Sequence, residues 1–409
     1  MMKIQYYWII SCVILLNMSS ELDGRYDASD YRGKNFKLGP ILFDLTGFIN
    51  FEYTDNLTGS SVNALDDFII SPGINLGAEW KISDINTLTL DTGASYQKYM
   101  NNSELDSQNN FVQISPDSNL KFTILISDII LELYDSLSYS IDPTDAFAVD
   151  SSGSVDISVT RYGRFDNTIG VDATWDLNDV DLRLGLSRRD VLPQGSQFDF
   201  TKKHTHKVSG GIDLDMSPKL KYGLTGFVSE TVYAVNFNSD NNTYGAFFDV
   251  FWQPMSLLRI NASIGYTIID SKGNGTNGGS SSTSSGIDGV IGLDHVWTQR
   301  YSHGITYSRG INEGDISNSV KSSAVTYYGS WIAMPRMIIS GALTYSDSSS
   351  SRSTASETFD YWIFSLGGSY AINTRTTVSL GYGYTTKSSS IAERSFDRNT
   401  ITAGIDYDF

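Results

Sequence analysis

From Ile41 to the end of the chain, apolar and polar residues alternate with a period of two. Ile41, Phe43, Leu45, Ile49, Phe51 and Tyr53 fall on one parity, while Asp44, Thr46, Asn50, Glu52 and Thr54 fall on the other. That period sends successive side chains to opposite faces of an extended backbone, so the segment predicts a half-buried strand. At about 14 residues it exceeds the five or six of an ordinary globular strand. The alternation returns over 68–80, 244–252, 258–268, 377–384 and 401–409.

The connectors alternate in length. Short turns are predicted near 81–86, 127–128, 177–179, 217–219, 253–256, 298–300, 334–336 and 373–375. Pro218, Pro254 and Pro335 lie in three of these, where no ladder donor is needed. Longer polar stretches cover 55–66, 101–110, 142–162, 192–202, 236–242, 270–286, 312–319, 346–356 and 386–395. The run SKGNGTNGGSSSTSSG at 271–286 is of low complexity and predicts a flexible loop. Eight turns and nine loops join about 18 strands, with 16 as the lower limit. An even count, a short-turn side and a long-loop side predict an all-β fold. They describe a transmembrane antiparallel β-barrel with short periplasmic turns, long extracellular loops and both termini in the periplasm.

Aromatic positions agree. Trp80, Trp175, Trp252, Trp297 and Trp331 all end strands beside a short turn, where a periplasmic aromatic girdle belongs. The chain closes on Tyr407 and Phe409, an ending that resembles the assembly signal of outer-membrane barrel proteins and implies the barrel-assembly machinery as a partner. At the other terminus, Lys3, the apolar run Tyr6 to Leu16 and the small residues after it describe a signal peptide, 1–20, for Sec-type export. That run is too short to span a bilayer as a helix. Residues 21–40 are polar and read as a flexible periplasmic tail, which leaves 41–409 for the barrel.

Composition removes other classes. A net charge of −17 argues against a nucleic-acid partner. The lone cysteine, Cys12, permits no disulfide framework, and four histidines make a histidine-rich metal site improbable. No cofactor site and no Ser/His/Asp arrangement emerges, so an enzyme is disfavoured. His204 and His206 take the outward parity near a long loop and read as rim residues.

The segments FKLGPILFDLTGFINFEYTDN (36–56), FIISPGINLGAEW (68–80), ISPDSNLKF (114–122) and TWDLND (174–179) resemble the outer-membrane β-barrel porins of Gram-negative bacteria. Some of those are similar to barrels found with polysaccharide-export systems. The resemblance covers Phe36 to Phe409 and rests on strand ends and turns, so it carries over no catalytic residue. It implies contact with outer-membrane lipid and lipopolysaccharide, and for an exporter with periplasmic export components.

Projecting the alternation inward gives a lumen. Arg164, Arg183, Arg189, Lys203, Lys207 and Lys221 share the inward parity on neighbouring strands, and Asp249 and Asp294 are pore-lining carboxylates of the remaining wall. Opposed basic and acidic walls would set a transverse field and tune ion selectivity. The alternative is that these are ordinary lumen charges, solvated or paired across strands. Phe48, Phe227, Phe247 and Phe251 also point inward and are candidates to guide a sugar chain. Asp135 falls on the outward parity of 128–140, so either a bulge shifts the register there or the parity is reversed. The leading reading is a water-filled passive channel for small hydrophilic solutes or saccharides. A dedicated polysaccharide export pore and a non-conducting structural or adhesive barrel are the alternatives.

Overall fold

A computed structural model describes residues 36–103, 112–115, 118–140, 163–194, 196–235, 239–274, 281–313, 319–351 and 356–409. The expected signal peptide, most of the expected tail and the loop 142–162 lie outside the described residues.

The long strands are β1 (Ile41–Thr54), β2 (Asp67–Ser83), β3 (Asn86–Ser95), β4 (Asn119–Ile126), β5 (Ile129–Ser140) and β6 (Arg164–Asp176). Next come β7 (Val180–Pro193), β8 (Lys203–Ser217), β9 (Leu220–Tyr233), β10 (Asn241–Met255), β11 (Leu258–Ser271) and β12 (Ser282–Thr298). The last six are β13 (Tyr301–Asn312), β14 (Ser319–Met334), β15 (Met337–Ser351), β16 (Glu357–Ala371), β17 (Thr376–Ser389) and β18 (Phe396–Asp408). Each pairs antiparallel with the next, and β1 pairs with β18 from Thr46↔Asp408 to Thr54↔Thr400. The sheet is therefore a closed barrel of 18 strands with no free edge.

Side-chain alternation decides what faces where. Leu224, Ile264 and Leu380 are 60%, 59% and 63% exposed on the outer face, within a belt of Leu, Ile, Val and Tyr that nothing among the described residues covers. The inner face carries the polar residues and a recurring packing device. Phe48, Tyr134, Phe227, Phe247 and Tyr328 stand directly opposite Gly73, Gly170, Gly245, Gly265 and Gly304 on the neighbouring strand. A Cβ added at Gly245 would sit 2.3 Å from the Phe227 ring, and one at Gly265 would sit 2.4 Å from the Phe247 ring. Each ring lies down over a glycine that has no side chain to hold it off.

The two ends differ. Leu57, Ile69, Tyr99, Ile269, Val320 and Lys387 are among the largest fully buried side chains, and all sit at the long-loop end. Leu57 comes from the loop after β1 and packs on Ile69 and Tyr99. Phe359, Tyr361 and Phe396 form a second inward cluster at that end, joined by Ile363. The short turns are tight, with Ser127, Asn178 and Arg336 in the left-handed region at φ 53°, 71° and 73°. Several of these turns adjoin a register shift, as between Trp252 and Met255 and between Val296 and Thr298.

Several sequence expectations change, among them 346–351, expected in a long loop, which extends β15 against β16. Phe36–Leu38, placed in the flexible tail, is a short strand that turns at Gly39 and pairs back on β1, with Phe36 stacked on Phe43 at 5.1 Å. Ser282 to Gly286, placed in the low-complexity loop, opens β12, because β11 offers a ladder from Ser271↔Ser282 to Thr267↔Gly286. Backbone donors and acceptors suffice for that pairing, so weak side chains do not prevent it. Asp135 is settled in favour of the parity: β5 keeps one register against β4 and β6, and Asp135 is exposed on the outer face. Its carboxylate accepts a hydrogen bond from Asn167 Nδ2 at 2.6 Å.

Candidate functional site

The barrel encloses a cavity of about 1150 Å³, lined by strands β5 to β14 and displaced toward the short-turn end. Of the residues singled out from sequence, Arg183, Lys207, Lys221, Asp249 and Asp294 line it. Arg183 contacts Asp213 twice, Nη2 to Oδ1 at 2.8 Å and Nε to Oδ2 at 2.6 Å. Its Nη2 also donates to Thr225 Oγ1 at 3.2 Å, and Thr225 in turn donates to Asp249 Oδ2 at 2.9 Å. This chain ties β7, β8, β9 and β10 together across the inner surface. Lys221 donates to Asp215 Oδ2 at 2.8 Å, and Tyr328 donates to Asp294 Oδ1. Lys207 Nζ stands 4.6 Å from the centroid of the Phe227 ring, which is stacked with Phe247 at 6.2 Å and 13°.

Arg164, Arg189 and Lys203 are not on the cavity. They gather nearer the long-loop end around Asp166, which takes both Nε and Nη2 of Arg189. Lys203 Nζ also lies 5.6 Å from the Tyr233 ring centroid. The expectation of opposed basic and acidic walls fails here. Cross-strand register sets Asp213 and Asp166 beside the arginines on the same wall, where short ion pairs gain more than charges facing across a wide lumen. The alternative of pairing across strands describes these residues.

Two groupings escaped sequence reasoning. Glu313, in the loop after β13, reaches across to accept hydrogen bonds from Thr231 Oγ1 at 3.2 Å and Thr243 Oγ1 at 2.9 Å. These threonines stand on β9 and β10, so a loop from the far side of several strands is fastened to the inner wall. Lys387, 1% exposed, pairs with Glu357 Oε1 at 3.2 Å and lies 4.6 Å over the Phe359 ring, while Arg394 Nη1 holds Glu357 Oε2 at 2.7 Å. Nothing in the sequence marks Glu313 apart from other loop carboxylates. Lys387 stands on the inward parity of its strand, but its partners are fixed only by closure of the sheet.

Trp80, Trp175, Trp252, Trp297 and Trp331 all lie at the short-turn end on the outer face, between 38% and 66% exposed. Trp297 belongs to a ring cluster with Tyr301, His303 and Tyr327, and His295 Nδ1 is 3.2 Å from His303 Nε2. His204 and His206 meet edge to face at 5.4 Å at the opposite end. Tyr407 and Phe409 pack at 5.2 Å, and Phe409 N–H donates to Leu45 O at 3.1 Å across the closing seam.

No protein-family model and no curated protein matches the chain. Among solved structures it is similar to a BenF-like porin from Pseudomonas fluorescens Pf-5, with a TM-score of 0.54 and 10% identity over 91% of this chain and 100% of that one. It is also similar to Pseudomonas aeruginosa OpdL, with a TM-score of 0.51 and 10% identity over 91% and 99% of the two chains. OpdK of the same organism, determined with vanillate, gives 0.50 and 10% over 90% and 99%. The chain shares the fold of these porins. At such identity the likeness extends to the fold alone, and the residues inside must be read on their own terms.

Proposed function

We propose that the protein is an integral outer-membrane barrel that forms a water-filled passive channel for small hydrophilic solutes. The observation that carries this reading is the inversion of faces. An apolar belt is turned outward and uncovered, while charged and hydroxyl side chains surround an internal cavity of about 1150 Å³. In water such a belt is an aggregation hazard, whereas in a bilayer it is the required surface. Eighteen strands also enclose more space than inward side chains can fill. The similarity in fold to solved porins supports the same reading.

On this reading the five tryptophans meet the periplasmic lipid interface, and Tyr407 with Phe409 is what the assembly machinery engages. The short turns face the periplasm after Sec-type export. The crowded long-loop end favours small solutes over a polymer, since a sugar chain would have to thread between Leu57, Glu313 and the Phe359 cluster. Planar-bilayer recording on the refolded full-length barrel tests the proposal. Discrete ohmic steps are expected, with liposome swelling by small sugars but not by dextrans. A barrel that inserts without conducting would favour the structural or adhesive alternative.

A further inference from the structure

The cavity wall carries a charge excess and an aromatic surface that attract the same sign of solute. Among the described residues seven carboxylates and four cations line it, which leaves three carboxylates in excess. On the adjoining strands Lys121, which pairs with Glu132 at 3.2 Å, is offset by Asp91, while Arg164, Arg189 and Lys203 lie outside the cavity around Asp166. Three of the four cations already face carboxylates, Arg183 with Asp213, Lys221 with Asp215 and Arg259 directly opposite Asp294. Lys207 is the one remaining lining cation, so the excess of three is spread over Glu132, Asp172, Asp181 and Asp249.

Asp181 shows how the excess is placed. On β7 it stands directly opposite Asp176 on one side and Asp213 on the other. Like charges directly opposite on adjacent strands repel, so the arrangement is tolerated where mobile counter-ions are supplied. A lumen open to electrolyte supplies them.

The aromatic surface is independent of the carboxylates. Phe227 and Phe247 pack over Gly245 and Gly265 with their planes within 13° of each other, and the Phe227 face is open to a cation on the cavity side. A ring face carries the negative end of the quadrupole and attracts cations. Lys207 already occupies one such position, 4.6 Å from the Phe227 centroid. An anion in the same place meets carboxylates and ring faces, and is disfavoured by both.

Resting on the channel reading, we infer that the lumen is cation-selective and that its preferred organic solutes bear ammonium or guanidinium groups. The experiment is reversal potential across a KCl gradient with the full-length barrel in planar bilayers, followed by replacement of KCl with arginine chloride on one side. Potassium should permeate several-fold better than chloride, with the ratio rising as salt is diluted because screening weakens. The triple variant Asp172→Asn, Asp181→Asn, Asp249→Asn should bring the ratio close to unity, and Phe227→Leu with Phe247→Leu should lower arginine permeability. Migration as a folded, heat-modifiable band shows that each variant is assembled. If the triple variant does not fold, the wild-type ratio still decides. Absence of conductance overturns the channel reading itself. Steady conductance with chloride preferred, or with no preference at low salt, overturns the inference alone.

Discussion

Arg183 shows what one inward side chain does in this barrel. Its guanidinium spans three strands through Asp213, Thr225 and, beyond it, Asp249. Arg183 and Asp213 are each nearly a third exposed, so solvent screens the pair, and Arg183→Gln should cost on the order of 1 kcal/mol. The midpoint of urea unfolding in detergent measures this. Lys387 differs because it and Glu357 are almost fully buried, at 1% and 8%. Removing Lys387 leaves Glu357 buried with Arg394 as its remaining ion-pair partner, so the cost should fall below the roughly 3–5 kcal/mol of a fully uncompensated buried charge. Lys387→Met should therefore loosen the long-loop end, with faster proteolysis there and slower loss of the remaining barrel. Of the basic residues that parity in the sequence turns inward, Arg183, Lys207 and Lys221 line the cavity. Parity could not place their partners, because pairing depends on a register that only the folded sheet defines. That is why a basic wall was expected where alternating charges stand.

At the scale of strands and hairpins the sequence was most informative. Periodicity and turn length gave eight short turns, nine long connections and the positions of five tryptophans, since each depends on a few neighbouring residues. The strand opening at Ser282 was hidden because its pairing comes from β11 and not from its own side chains. The ring-on-glycine pairs were equally hidden, being cross-strand. They make a sharp prediction: Gly245→Val should drive the Phe227 ring off the wall, whereas Gly210→Val, whose Cβ meets no atom closer than 3.7 Å, should be tolerated. Comparing the yields of folded band for the two variants checks this. On the outer face, Leu184→Lys or Leu186→Lys should each reduce insertion by about 2–4 kcal/mol near the midplane. The closing strand is also exposed to test. Phe409→Ser loses the contact with Gly47 and with Tyr407, and should lower the assembled fraction more than it lowers the stability of barrels that do close.

For the whole molecule, closure joins residues 362 positions apart, as in the hydrogen bond from Thr46 to Asp408. Contacts of such separation form late and slowly. The loop carrying Glu313 adds a second long-range tie. Glu313→Ala removes both of its hydrogen bonds and should raise single-channel conductance or its noise, with little change in stability. The two halves of the lumen are also unequal: among the described residues, buried loop residues crowd one end, and the cavity with its excess of carboxylates lies toward the other. A conduit that is tapered and charged mainly in its broad half acts as an electrical diode. Opposite voltages fill that half with ions or empty it, so current at equal and opposite voltages should differ. The asymmetry should be clear at roughly 0.01 M salt, where the screening length is about 30 Å, and vanish near 1 M, where it is about 3 Å. With orientation in the bilayer known, the sense of that rectification reports from outside which mouth is the narrow one.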